Sequence, residues 1–263
     1  VHREQLVELL VRQELQAGRS ELRAHEQRHQ ATDEEEHEAD DAVHDADQLV
    51  IGGRDQLVDQ VALGADPRRE RTPGLKLTDR ELEDLARAGV RGFRVNRTAK
   101  TGLAFEVARR LAERVKGYGM HVQFLLDIED HPDIDSFLGS FATEVVIDHM
   151  GRPDPKKGVN AAGFQALIRL LKSGRGWAKM SAPYRTSLQE PPYNDITPFA
   201  HALVAAVPDR LVWGSDWPHV LLETTMPNDG DLVDQIAVWI PDEATRTRIL
   251  VDNAERLYGF ERA

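Results

Sequence analysis

The sequence predicts an α/β fold built on a parallel sheet, and three observations lead to this fold class. From about residue 75 onward, five short apolar runs alternate with amphipathic segments of helical spacing. Strands and helices that alternate in this way indicate βαβ units. The length of 263 residues suits one α/β barrel domain or two smaller domains. Two of the runs also lead into an aspartate, Asp148 or Asp216, at the strand end where barrel enzymes carry catalytic groups.

The periodicity and the turn residues place each element. Thr78 can cap the first helix together with Glu81, and Gly89 ends that helix. The predicted strands are Val90–Asn96, His121–Asp127, Val145–Asp148, Trp177–Met180 and Leu211–Trp213. The predicted helices are Asp79–Ala88, Leu103–Tyr118, Pro132–Phe141, Phe164–Lys172, Thr197–Ala206, Asp229–Ile240 and Pro241–Tyr258.

The N-terminal part differs in composition from the rest. Residues 1–70 contain 18 acidic and 8 basic side chains, a net charge of -10, whereas the remainder contains 27 and 25, a net charge of -2. Every aromatic residue lies at or beyond Phe93. We therefore predict an acidic, helical or disordered segment at residues 1–74 and a β/α barrel region at residues 75–263. The abrupt change suggests two explanations: a different N-terminal segment has replaced the usual one, or the first segment is translated from a wrong start or reading frame. We favour the second as a hypothesis.

Composition excludes several classes of protein. The chain has no cysteine, which rules out disulfides and thiolate metal sites and fits a reducing cytoplasm. No apolar run reaches the length of a membrane span, and no secretory signal begins the sequence. The net charge of -12 argues against nonspecific nucleic-acid binding, and no nucleic-acid partner is expected. We expect a cytoplasmic protein with a small-molecule partner, and the sequence leaves its oligomeric state open.

Six phrases, in this order along the chain, resemble those of the amidohydrolase-related family of (β/α)₈ hydrolases. They are Gly89–Asn96, Val122–Asp127, Val146–Pro153, Trp177–Ser181, Trp213–His219 and Asp252–Gly259. The most similar branch is that of the 2-pyrone-4,6-dicarboxylate lactonase-like proteins. The resemblance implies a TIM barrel whose last five β/α units are recognisable. It also implies a hydrolase that acts on a lactone or a related carboxylated ring compound.

One departure from the family pattern concerns the first strand. Family members open with an Asp-x-His-x-His phrase, and no His-x-His occurs in this sequence. The barrel is therefore expected to be incomplete or atypical at its N-terminus. The alternative to an active hydrolase is a catalytically defective barrel fragment or a non-enzymatic protein.

The resemblance implies two catalytic residues, Asp216 and His149. Asp216 corresponds to the family's general base, which takes a proton from the attacking water, and a carboxylate suits that role. The alternative is an aspartate that caps the following turn. His149 corresponds to a residue near the substrate carbonyl or on a metal, and its alternative is a buried histidine bonded to backbone.

Further residues are expected to bind substrate. Arg94, Lys100 and Arg185 would hold carboxylates, although the branch carries an arginine where Lys100 stands. Surface ion pairing is the alternative for all three. Ser181 and Tyr184 could donate hydrogen bonds to substrate or serve packing and turns. His219 could orient Asp216, line the pocket or have a structural role.

Metal binding is expected to be weak or absent. His149 and Asp216 are the two candidate ligands for zinc or manganese, whereas a catalytic zinc site usually has three protein ligands. The pattern His25-Glu-Gln-Arg-His29 matches a zinc-protease motif. No apolar pattern surrounds it to build a cleft, so we interpret it as a chance match in a His- and Glu-rich segment.

Overall fold

The computed structural model describes residues 48–51, 61–62, 77–98, 104–219, 222 and 226–260. These residues contain one seven-stranded sheet. Its strands are β1 (Gln48–Ile51), β2 (Val61–Ala62), β3 (Val90–Asn96), β4 (His121–Leu125), β5 (Val145–Ile147), β6 (Gly176–Met180) and β7 (Leu211–Trp213). They are arranged in the order β2–β1–β3–β4–β5–β6–β7.

The helices follow the strands as the sequence predicts. They are α1 (Asp79–Arg87), α2 (Phe105–Val115), α3 (Ile134–Leu138), α4 (Ala162–Lys172), α5 (Thr197–Ala206), α6 (Asp229–Trp239), α7 (Glu243–Thr247) and α8 (Asn253–Tyr258). A π-helical turn, Arg248–Asp252, joins the last two. Among the helices in the described ranges, none is both long and apolar enough to cross a bilayer.

The predicted fold class is confirmed. Strands β3 to β7 are parallel, each paired with the next along the chain, and helices connect them. β3 and β7 agree with their predicted bounds residue for residue. The predicted capping box at the start of α1 is present, because Thr78 Oγ1 accepts the Glu81 amide and Glu81 Oε2 accepts the Thr78 amide.

Two short strands extend the sheet on the N-terminal side. β1 pairs antiparallel with β3, with Leu49 opposite Phe93, and β2 pairs antiparallel with β1. Both strands lie within the segment for which the sequence predicts helix or disorder. The remainder of residues 1–74, including His25 and His29, lies outside the described ranges, so the boundary at residue 74 stays a prediction.

The parallel strands determine where the polar side chains meet. β4, β5 and β6 carry mostly buried residues, as expected for strands covered on both faces. Because the strands are parallel, their carboxyl ends lie at one edge of the sheet. Asp148 directly follows β5, Ser181 directly follows β6, and Asp216 lies shortly after β7. The fold therefore gathers these three side chains at one end.

His121 is a buried histidine at the opposite end of β4. Its ring packs edge-on against Tyr258, and the backbone of Gly92 approaches it so closely that a Cβ there would lie 2.7 Å from Nε2. Burial lowers the pKa of His121 to about 3, and the nearby charge of Lys179 acts in the same direction. The ring is therefore neutral in the folded protein at pH 5.

This pKa predicts an acid sensitivity of folding. A histidine in an unfolded chain has a pKa near 6.5. Between about pH 6.5 and 3, therefore, His121 is protonated in the unfolded chain and neutral in the folded protein. Below pH 6.5 this group should reduce the free energy of unfolding by up to about 1.4 kcal/mol per pH unit. Urea unfolding from pH 7 to 4 should show a shallower fall for His121→Gln than for wild type. The exposed control His201→Gln should follow wild type, and equal slopes for all three proteins would contradict the prediction.

Candidate active site

The side chains expected to carry the chemistry lie together at the carboxyl end of the sheet. Asp216 is at their centre, with its side chain 11% exposed. The Tyr184 hydroxyl and Arg185 Nε both donate to Asp216 Oδ2, at 2.7 and 2.6 Å. Asp216 Oδ1 lies 3.5 Å from His149 Nε2. One carboxylate oxygen is thus engaged by two donors, while the other faces the histidine.

These neighbours keep Asp216 ionised. Burial alone would raise the pKa of Asp216. The electrostatic interaction with His149, the charge of Arg185 and the hydrogen bonds from Tyr184 and Arg185 outweigh burial and hold this pKa below that of a free aspartate. The Tyr184 hydroxyl shows the reverse effect, because burial and the adjacent Asp216 carboxylate raise its pKa. At neutral pH, therefore, the charged Asp216 carboxylate accepts a hydrogen bond from the protonated Tyr184 hydroxyl.

His149 is neutral, and the ring nitrogen that faces away from Asp216 contacts Ser181. Burial lowers its pKa to about 4, although Asp216 and Asp148 act in the opposite direction. Its Nδ1 lies 2.7 Å from Ser181 Oγ. This contact fixes the ring so that Nε2 points to Asp216. A neutral imidazole next to a charged carboxylate can donate a hydrogen bond to a developing oxyanion.

The backbone around these residues adopts a conformation that is unfavourable for side-chain-bearing residues. His149, Asp216 and His219 have φ values of 51°, 70° and 57°, and Ala182 has a φ of 49°. Left-handed conformations of residues other than glycine cost on the order of 1–3 kcal/mol each, and they cluster at functional sites. Their concentration at one end of the sheet agrees with a functional role for this end.

A chain of hydrogen bonds leads away from Asp216. The Tyr184 hydroxyl also lies 2.7 Å from His219 Nδ1, and His219 Nε2 lies 3.0 Å from Asp229 Oδ1. His219 is 3% exposed, whereas the side chain of Asp229 is 28% exposed. The Tyr184 hydroxyl therefore lies between the His219 ring and the Asp216 carboxylate.

A second buried cluster lies beneath His149. The carboxylate of Asp148 is 1% exposed and accepts Arg94 Nε at 2.7 Å and Gln123 Nε2 at 2.8 Å, with Lys179 Nζ at 3.5 Å. Burial by itself would raise the pKa of Asp148, but the charges of Arg94 and Lys179 reverse this and lower it well below the usual value. Asp148 is thus an ionised anchor for the turn that carries His149.

The structure brings together six of the eight predicted site residues, namely Asp216, His149, Ser181, Tyr184, Arg185 and His219. Arg94 lies in the adjacent cluster with its Nε on Asp148. Lys100 falls in a range that the structure does not describe. Substrate binding by these cations stays a prediction.

Sequence reasoning missed three residues that shape the site: Gln123, Lys179 and Asp229. For Gln123 and Lys179, the position of the residue in its predicted strand could have indicated a place in the site. Gln123 alternates with apolar residues on β4, and Lys179 precedes Ser181 by two positions, so the strand period places it on the same face. For Asp229 the only local signal is its place in the first turn of α6, which is common for an acidic residue.

The donor set near Asp216 does not complete a catalytic zinc site. His149 Nδ1 is engaged by Ser181, which leaves Nε2 and the Asp216 carboxylate as two ligands. Across the described residues, no group of three or more His, Asp or Glu side chains could hold a metal ion. Three protein ligands are usual for catalytic zinc. The described residues therefore do not fit a tightly held metal by themselves.

Comparison with known proteins identifies the family of this chain. The family model described as "Amidohydrolase" matches residues 4–260 and so extends beyond the region of the sequence motifs. The 2-pyrone-4,6-dicarboxylate hydrolase of Comamonas testosteroni is 38% identical over 75% of this chain and 68% of its own length. The 4-sulfomuconolactone hydrolase of Rhizobium radiobacter is 38% identical to this chain. The match covers 71% of this chain and 64% of that relative.

Solved structures give the same result for the fold. The crystal structure of a protein from Agrobacterium tumefaciens, in its apo form, superposes with a TM-score of 0.63 at 29% identity. The match covers 72% of this chain and 68% of the other. The predicted resemblance is confirmed, and the chain belongs to the amidohydrolase family of hydrolase enzymes.

Proposed function

We propose that this protein hydrolyses a lactone that carries an anionic group, with Asp216 as the general base. The observation that carries the proposal is the arrangement at Asp216, where Tyr184 and Arg185 engage Oδ2 and leave Oδ1 opposite His149. A lowered pKa keeps this carboxylate ionised, so the oxygen that faces His149 carries no proton at neutral pH. The names of the two curated relatives, a pyrone dicarboxylate hydrolase and a sulfomuconolactone hydrolase, support a small anionic lactone as substrate.

In the proposed reaction, Asp216 Oδ1 removes a proton from water as the water oxygen attacks the lactone carbonyl carbon. The carbonyl oxygen becomes an oxyanion. The ring C–O bond then breaks, and the departing ring oxygen takes the proton back from Asp216. The product is an open-chain hydroxy acid whose new carboxyl group then loses its proton to solvent. The enzyme returns to its initial state without a covalent intermediate.

We assign His149 to the oxyanion. If the Ser181 hydroxyl donates to His149 Nδ1, the neutral ring carries its hydrogen on Nε2, which points to the Asp216 side of the pocket. A fixed donor at the position of a developing oxyanion is worth roughly 10²–10³ in rate. Ser181 is then a positioning residue, and not a direct substrate contact as the sequence first suggested.

We further propose that Arg94, Lys100 and Arg185 supply the positive field that attracts the substrate's anionic group. Arg94 and Arg185 each also hold an aspartate through Nε, at 2.7 and 2.6 Å. A guanidinium keeps its permanent charge when it holds a carboxylate, so each arginine can still contribute to the positive field. The two arginines would thus bind substrate from fixed orientations.

A panel of three lactones of equal ring size tests this proposal: one carboxylated, one sulfonated and one uncharged. Charge-assisted hydrogen bonds are worth about 1.5–3 kcal/mol, so the kcat/KM for the anionic lactones should exceed that for the uncharged one by about 10- to 100-fold. Equal values would remove the anionic requirement. The absence of hydrolysis of all three would favour the catalytically defective alternative.

We expect the activity to survive removal of metal. With two ligands among the described residues, any bound zinc or manganese should exchange readily. Dialysis against a chelator should strip it without lowering Tm, and hydrolysis should continue, since Asp216 alone is the base in this proposal. A parallel sample dialysed without chelator is the control. Stoichiometric zinc that resists the chelator would contradict the prediction.

A further inference from the structure

We infer that Asp229 is a positioning residue for the base, acting on Asp216 through His219 and Tyr184. The inference rests on the proposed function, because it needs Asp216 to be the base. It goes beyond it by adding a residue on α6, outside the strand ends that carry the other groups. The hydrogen-bond chain Asp229–His219–Tyr184–Asp216 has links of 3.0, 2.7 and 2.7 Å.

His219 is fixed from both sides of its ring. Nε2 faces Asp229 Oδ1, and Nδ1 faces the Tyr184 hydroxyl oxygen. Because the single hydroxyl hydrogen of Tyr184 goes to Asp216, both ring nitrogens of His219 act as donors in this chain. The His219 and Tyr184 rings also pack edge to face, with centroids 5.4 Å apart. Rotation of the imidazole would break both hydrogen bonds together. Asp229 therefore sets the orientation in which Nδ1 meets the tyrosine.

The Tyr184 hydroxyl in turn decides which oxygen of Asp216 is available. It shares Oδ2 with Arg185 Nε, so Oδ1 remains the oxygen that faces His149. If Tyr184 turned away, Arg185 alone would hold Oδ2, and the carboxylate could rotate about its Cβ–Cγ bond. A rotated carboxylate would present the wrong geometry for proton removal, and proton transfer depends on geometry first.

An acidic residue at the start of a helix often serves as its N-cap, but in α6 another residue has this role. α6 begins after Asn228, whose side chain accepts the Gly230 amide at 2.8 Å and so caps the helix. Asp231 is a second acid in the same first turn. The carboxylate of Asp229 is therefore not required as the cap, and it points to His219 instead.

Three variants test the inference: Asp229→Ala, Asp229→Asn and the control Asp231→Ala. The control removes a first-turn acid from the same helix without touching His219. For Asp229→Ala we expect kcat to fall by about 10- to 100-fold, as for other residues that orient a reacting group, with KM near the wild-type value. Asp229→Asn should recover most of kcat, because its amide oxygen still accepts from Nε2. Asp231→Ala should keep the wild-type kcat.

A purely structural role would give a different result. It would lower Tm for both alanine variants and leave kcat of the folded protein unchanged, or change kcat and KM alike in both. A wild-type kcat for Asp229→Ala, or a failure of Asp229→Asn to recover activity while folded, would overturn the inference.

A second readout does not depend on activity. In ¹⁵N-histidine-labelled protein, the His219 ring signal can be identified among the ten histidines by its loss in His219→Gln. It should shift in Asp229→Ala and not in Asp231→Ala, and an unshifted signal would overturn the inference. If wild type hydrolyses no lactone, the proposed function fails, while this signal still decides whether Asp229 holds His219.

Discussion

Replacing Asp216 by Asn should reduce kcat for lactone hydrolysis by at least about 10²–10⁴, the range for a positioned general base. The amide keeps the shape and can still accept a hydrogen bond from Tyr184 or Arg185, but it has no charge with which to take a proton from water. The measurement is kcat at pH 7 on the best lactone of the panel, together with Tm to show that the variant is folded.

A matched control lies at the other end of the same strand. Asp209 precedes β7, is exposed, and pairs with Arg248 at 3.3 Å. Asp209→Asn makes the same chemical change away from the site and should retain wild-type kcat. An Asp216→Asn variant with undiminished kcat would remove this carboxylate from the mechanism.

Replacing Asp148 by Asn should have the largest effect on stability. The substitution leaves Arg94 and Lys179 as buried charges without their common counter-charge. Breaking a buried ion pair on one side costs about 3–5 kcal/mol. Urea unfolding at pH 7 should show a loss of this size in the free energy of unfolding.

The control for this loss is an exposed pair of similar length. Asp135 Oδ2 accepts Arg169 Nε at 2.7 Å, and the arginine side chain is 54% exposed. Asp135→Asn should cost far less, since solvent compensates the unpaired charge. Comparable losses for the two variants would show that the Asp148 cluster is not the anchor described here.

Much of the fold could be predicted from the sequence because local patterns determine it. The strands β3 and β7 are apolar runs between turn residues, and the cap at Thr78 and Glu81 needs only neighbouring residues. β1 is different. Its antiparallel pairing with β3 joins segments about forty residues apart, and no periodicity in its own sequence indicates that partner.

The site was predictable to the extent that it follows from strand ends. Parallel strands place Asp148, Ser181 and Asp216 at one edge of the sheet, and this placement does not depend on the contacts of their side chains. Which donor meets which acceptor was not predictable. The sequence predicts Arg94 and Arg185 as substrate ligands, but it does not indicate that each also pairs with an aspartate, 54 or 31 positions away. Such pairings depend on tertiary geometry, as does the contact between Asp229 and His219.

The transfer of a water oxygen to the lactone carbonyl is the central claim, and isotope labelling measures it directly. A base beside a lactone could also remove a carbon-bound proton and isomerise the ring without hydrolysis. The reaction is run in H₂¹⁸O with wild type and Asp216→Asn, and the product is analysed by mass spectrometry. We predict an open acid with one ¹⁸O in its new carboxylate, formed at the wild-type rate only when Asp216 is present. An unlabelled isomeric product, or equal ¹⁸O incorporation by both proteins, would contradict the account.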